Sequence, residues 1–311
     1  MTTHATGPLA GLTWLKRGIN LGRHNARAVF GGAAILMFLW LVPSVVQLML
    51  MAMLRPGPMG ASIIGVVTTL LAIGLLPPLV GGYLRLIDAS ENGQPATAGD
   101  IFAPFRHGGD ARRLISFGAI MLVSSLILFA VLLEFFGEGI AEWFTKIMTL
   151  SQQTGGQLDP SQVPEAPEGL GRLIGLGSIA FLLFGSVWAI GFGQVALGRQ
   201  RVRTAIADGI MGTLKNMLPL LFAAIVVALA FLPLGLVLGL VFKVLEVGGS
   251  LIHPVFGAAL LLLANVAFMV VMYVVMFGVM YHLWRDVCGA TQAQGDRPPP
   301  PSNTNNHQIE L

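Results

Sequence analysis

Six apolar runs, each long enough to cross a bilayer, alternate with short basic or turn-rich segments along this chain of 311 residues. A spanning helix takes about 20 apolar residues at about 1.5 Å of rise each. Runs at about 28–54, 62–84, 114–136, 173–197, 217–245 and 254–284 satisfy that length. The first and fifth are over-long and carry Pro43 and Pro233. Proline removes a helical hydrogen bond and bends the axis, so a kinked or tilted helix is expected in each. Pro77-Pro78 predicts a break or strong kink in the second run. The carbonyls freed there need partners, so that stretch is expected to face protein rather than lipid.

A second pattern is polar. "GINLGRHN" at 18–25 and "GIMGTLKN" at 209–216 both precede an apolar run. Ahead of the first run, Leu12, Leu15 and Ile19 share one helical face, and Lys16, Arg17 and Arg23 lie mostly elsewhere. Ahead of the fifth, Val202, Ala205, Ile206, Ile210 and Leu214 share a face, with Arg201, Arg203 and Lys215 as the charges. Both segments read as short amphipathic helices on the membrane surface. Asn25 and Asn216 then stand as polar corners where the chain turns into the bilayer. The return spans end alike, in "GGYLRLID" and "MYHLWRD", with aromatic and basic anchors. The pattern predicts a parallel internal repeat of interfacial helix, corner, kinked span and return span. Spans three and four would form a hairpin linking the two copies. The plainer alternative is that any basic helix ahead of a span looks this way.

Composition points to the same solvent. The chain is 55% hydrophobic and 11% charged, with a mean hydropathy of +0.77. A soluble domain carries about 25% charged residues, so these charges are too few to cover a water-facing surface. The expected fold is an all-α polytopic bundle of six transmembrane helices forming one domain over 1–288. The polar, proline-rich tail at 289–311 is expected to be disordered. Of the 18 Lys and Arg, all but Arg55, Lys146, Arg172 and Lys243 fall in 1–27, 85–113, 198–216 and 285–311. That alternation places both termini in the cytoplasm. The net charge of +3 is therefore read as topology, not as nucleic-acid binding. The first apolar run is too long for a signal-peptide core of about 7–15 residues, so it reads as a retained span.

The segments "TWLKRGINLGRHN", "LPPLVGGYLRLIDASENGQPATAGDIFAPFR" and "VALGRQRVRTAIADGIMGTLKNMLPL" resemble a family of uncharacterised bacterial multi-pass inner-membrane proteins. Members show a leading helix with Trp and Gly, a Pro- and Gly-rich second span and a cytoplasmic loop with an Ile-Phe-x-x-Phe motif. More loosely, the pattern is similar to the membrane domain fused to some glycerophosphodiester phosphodiesterases. "HNARAVF" departs from the Asn-Pro corner more typical of the family. The resemblance covers most of 11–286 and implies a bacterial inner-membrane location. It implies no activity, and this chain has no room for the soluble catalytic domain.

Candidate chemistry is sparse. No phosphate-binding loop or His-Glu-x-x-His zinc helix occurs, and the six histidines are scattered. The single cysteine, Cys288, allows neither an internal disulfide nor a cysteine metal site. No ionisable residue lies near a span's midpoint; Glu134 comes closest, at the outer end of span three. That argues against transport coupled through a buried acid. Asn265, Gln194, Gln47, Thr68 and Thr69 are the leading intramembrane polar contacts. Interhelical glue, about 1 kcal/mol or less each, is favoured over substrate contact. Met269, Met272, Met276 and Met280 form a soft packing stripe on span six. Arg17, Arg23, Asn25, Phe102, Phe105, Arg106, Arg112, Arg113, Arg203, Lys215 and Asn216 make up the candidate cytoplasmic interface. It would meet anionic lipid headgroups, or a protein partner or second copy of the chain. The resulting expectation is a scaffold or envelope-homeostasis component without catalytic activity or cofactor. The alternative is a permease or lipid transporter, which a cavity lined by Asn265, Gln194 and Thr68 would favour. An intramembrane enzyme is a third reading, and it lacks a converging set of polar groups.

Overall fold

Six helices in the computed structural model are long and apolar enough to cross a membrane, and they coincide with the six apolar runs. The structure describes residues 3–106, 110–154, 161 and 163–289. In order these form α1 (Ala10–Ile19), α2 (Ala26–Leu54) and α3 (Pro58–Glu91), then a 3-10 segment (Ala98–Phe105). Next come α4 (Ala111–Phe136), α5 (Ile140–Gln153), α6 (Gly169–Ala196) and α7 (Val202–Lys215). The last are α8 (Met217–Ser250) and α9 (Pro254–Trp284), which closes in a π turn over Arg285–Gly289. The protein is an all-α polytopic membrane bundle. The expected tail lies, from residue 290 on, outside the described residues.

The middle hairpin follows the same order of packing as its neighbours rather than standing apart as a linker, so the chain divides into three like units: α1–α2–α3, the 3-10 segment with α4 and α6 (α5 being inserted between them), and α7–α8–α9. Each interfacial element packs on the return helix of the unit before it. The 3-10 segment lies on α3, α7 lies on α6, and α1 closes the ring on α9. The return helices α3, α6 and α9 touch one another, and the outbound helices α2, α4 and α8 pack against them. The sequence pattern missed the third unit because its interfacial element is too short for a helical stripe. It is a 3-10 turn begun by Thr97 and Asp100, whose side chains cap each other's backbone.

These dockings need bare backbone. A Cβ on Gly82 of α3 would run into the Ile101 backbone of the 3-10 segment. Gly18 of α1 faces Gly278 of α9 at similarly close range. Small residues at such crossings let helices approach and gain dispersion contact where lipid supplies no hydrophobic drive.

The core is concentrated at one end. Leu79, Tyr83 and Ile87 of α3, Ile190 and Val195 of α6, and Phe277 and Tyr281 of α9 are fully buried near the C-terminal ends of the return helices. Tyr83 and Phe277 meet edge to face at 5.3 Å, as do Phe117 and Phe192 at 5.2 Å. The same end carries α1, the 3-10 segment and α7, and with them most of the Lys and Arg. It is termed the basic face below. On α8, by contrast, the buried residues are Pro219, Leu220 and Gly249, near its two ends.

One expectation is corrected: no break occurs at Pro77-Pro78, and α3 is helical throughout. The Pro77 ring seats where a Cβ on Gly118 of α4 would stand, and Pro78 is buried. The segment does face protein, and that packing carries the helix past its lost hydrogen bonds. On α7 the expected apolar stripe divides. Ile210 and Leu214 are 45% and 61% exposed and Val202 and Ile206 half-buried, while Ala205, Asp208, Gly209, Gly212 and Thr213 are buried. In an interfacial helix the apolar side can face lipid, so the small, polar side is the one free to meet protein. The amphipathic stretch after span three is helical, as α5, with Phe144 exposed and Trp143 Nε1 donating to the Pro164 carbonyl at 3.0 Å.

Candidate functional site

The polar residues within the spans do not converge. The Asn265 amide donates to the Leu261 carbonyl of its own helix at 2.8 Å, and its side of α9 is exposed. Thr68 is buried and bonds the Ile64 carbonyl at 2.9 Å; Thr69 bonds the Gly65 carbonyl at 2.8 Å. Gln47 is half-buried on α2. Gln194 lies at the basic end of α6, where its Nε2 donates to Asp208 Oδ2 at 2.7 Å and its Oε1 accepts from Trp284 Nε1 at 3.3 Å. None of Asn265, Gln194 and Thr68 lines the apolar pocket between α3, α4 and α6 or the apolar groove between α8 and α9.

The two Asn corners are fasteners. Asn25 Oδ1 accepts from the Ala28 amide at 3.1 Å and so caps α2, while its Nδ2 donates to the Ala96 carbonyl at 2.9 Å. Asn216 is completely buried. Its Nδ2 donates to the His4 and Gly212 carbonyls, and its Oδ1 accepts from the Thr6 amide and hydroxyl, both at 2.7 Å. Lys215 Nζ donates to the Thr3 carbonyl at 2.8 Å. Each corner thus pins a distant stretch of chain onto the basic face.

The charges beside them are largely structural too. Asp110 accepts from Arg85 and Arg113, and Arg113 also donates to the Arg199 carbonyl at 2.7 Å. Burial works to raise the Asp110 carboxyl, but the hydrogen bonds and charges of Arg113 and Arg85 outweigh it and hold it below its ordinary value. Arg106 pairs loosely with Asp100 at 3.9 Å. Phe102, Phe105, Arg112 and Arg203 are exposed.

Arg17 and Arg23 are brought together. Arg17 reaches Asp286 at 3.1 Å, and Asp286 also accepts from Trp14 Nε1 at 2.9 Å. Beside this knot lies a polar basin of about 470 Å³, walled by Arg17, Arg23, His24, His282 and Arg285, with Glu91 and Asp286 opposed. His282 is 3% exposed, and its Nδ1 has no hydrogen-bond partner among the described residues. Asn20 lines the basin and also an apolar groove of about 660 Å³ beneath α1, between α8 and α9. Leu12, Leu15 and Ile19 roof that groove, with Lys16 at the same wall.

Reasoning from the sequence missed Trp14, Asp208 and His282, and took Arg85 only as a basic anchor at the membrane surface. For Asp208 a signal existed: it sits with Gly209 and Gly212, at helical spacing, on a small-residue side that adjoins the apolar one at Ala205. Asp208 is 4% exposed, and its Oδ1 has no partner among the described residues. Trp14 and His282 carried no such signal, because their partners lie across the ring closure between α1 and α9. Compared with known protein families, with characterised proteins and with solved structures, the chain matches none.

Proposed function

We propose that this membrane protein is a non-catalytic scaffold of the bacterial inner membrane, serving envelope homeostasis by binding lipid or a protein partner. Its basic face would lie in the cytoplasm, by the positive-inside asymmetry. One observation carries the reading: Thr68, Thr69 and Asn265 spend their polar groups on their own helices, and charged and polar side-chain contacts gather instead on the basic face. The apolar sides of α1 and α7 look outward there, as suits contact with the headgroup layer. The sparsely buried α8 offers a side for lipid, a second copy or another protein. The permease alternative would rest on a shared cavity around Asn265, Gln194 and Thr68, and their separation favours the scaffold.

The test is purification in a gentle detergent, native mass spectrometry and solute-release assays in proteoliposomes. The expected result is retained anionic phospholipid or a stoichiometric partner, with solute release no faster than from empty vesicles. Protein-dependent release that disappears in Asn265→Leu, with insertion intact, would replace the scaffold with a permease.

A further inference from the structure

We infer that the basin and the groove together form one binding site for a single anionic phospholipid, with its phosphate in the basin and an acyl chain beneath α1. The inference rests on the lipid-binding side of the proposed function and gives that binding an address.

Charge is the first argument. Arg17, Arg23 and Arg285 share the basin wall with Glu91 and Asp286, three cations with two anions. Asp286 is already engaged by Trp14 Nε1 at 2.9 Å and Arg17 at 3.1 Å. Arg23 is exposed and forms no ion pair among the described residues. A phosphate has acceptor oxygens for Arg23 and Arg285, and guanidinium groups match that geometry.

The second argument is adjacency and length. Asn20 borders both spaces, so a headgroup in one lies next to a chain in the other. The α8 wall runs from Val226 to Leu238, 12 steps along the helix or about 18 Å. One leaflet's hydrocarbon is about 15 Å deep, half of the bilayer core. A soluble phosphate would use the basin and leave the groove idle. A neutral lipid would use the groove and leave Arg23 unmatched.

The experiment is titration of the full chain in detergent with phosphatidylglycerol, phosphatidylcholine and inorganic phosphate, read by native mass spectrometry. A phosphatidylglycerol carrying a photoreactive acyl chain then maps the contact. The expected result is one tightly held phosphatidylglycerol with crosslinks on Phe231, Phe268 or Met272. Arg23→Glu should weaken retention at least tenfold, and Ala230→Phe should remove the crosslinks. Arg201→Glu, an exposed charge on another unit, should change neither. Equal weakening by Arg23→Glu and Arg201→Glu would mean diffuse attraction to anionic lipid; the site would fall and the lipid-binding scaffold would stand. Inorganic phosphate held in the basin with no retained phospholipid would overturn the site in favour of a soluble anion. Loss of every lipid from wild type, with no partner, would overturn site and scaffold together. Melting temperature with and without phosphatidylglycerol provides the folding control, because a bound ligand stabilises only a folded variant.

Discussion

At the scale of single residues, the basic face is a set of fasteners more than a charged coat. Asn216 uses both ends of its amide on backbone and Thr6, and Asn25 caps one helix while holding Ala96. Asp110 gathers Arg85 and Arg113, and its folded-state carboxyl is held below the ordinary 3.8. A lowered carboxyl favours the fold when ionised. Its contribution is therefore complete above the ordinary carboxylate range and is lost as pH falls through that range toward the lowered value. Asp110→Asn should cost about 1 kcal/mol at neutral pH, the low end for a charged hydrogen bond, because the cluster is partly solvated. Melting curves from pH 7 to pH 3 check this. Wild type should lose its advantage over the variant on acidification; a pH-independent gap would mean that the Asp110 charge contributes nothing.

At the scale of elements, close docking of interfacial pieces on return helices makes glycines unequal. Gly82 stands against the Ile101 backbone, whereas a methyl group on Gly74, in the same helix, would meet nothing within 4 Å. Gly82→Ala should destabilise by about 1–3 kcal/mol through overpacking. Gly74→Ala should be neutral or slightly stabilising, from helix propensity. Thermal unfolding in one detergent compares the two. Equal melting points would show that the 3-10 segment is not held against α3 as closely as the backbone contact requires.

For the whole molecule, three like units form a closed ring by docking each interfacial element on the unit before it. All three interfacial elements must then share one side of the membrane. In the proposed orientation, drawn from the charge asymmetry, that side is the cytoplasmic one. Cys288 is buried, so single-cysteine reporters can be read without removing it. Arg203→Cys should react with an impermeant maleimide only after the membrane is opened, and Lys146→Cys should react in intact cells. Labelling of both from outside would break the ring's requirement that α7 and α5 lie on opposite sides.

The linear pattern alone determined the number and placement of the spans. Apolar length and proline position are local properties that a bilayer reads directly. It also marked Asn25 and Asn216 as corners, and Arg17, Arg23 and Arg113 as residues of the basic face. Tertiary structure decided what those residues touch. Asn265 and Gln194 look equally available in the sequence, yet one bonds its own helix and the other meets Asp208 and Trp284. The third unit escaped detection because eight residues of 3-10 turn carry no helical period. The basin escaped for a different reason. Arg17, His282 and Arg285 become neighbours only when α1 closes on α9, and packing between helices so distant along the chain leaves no periodic trace in either one.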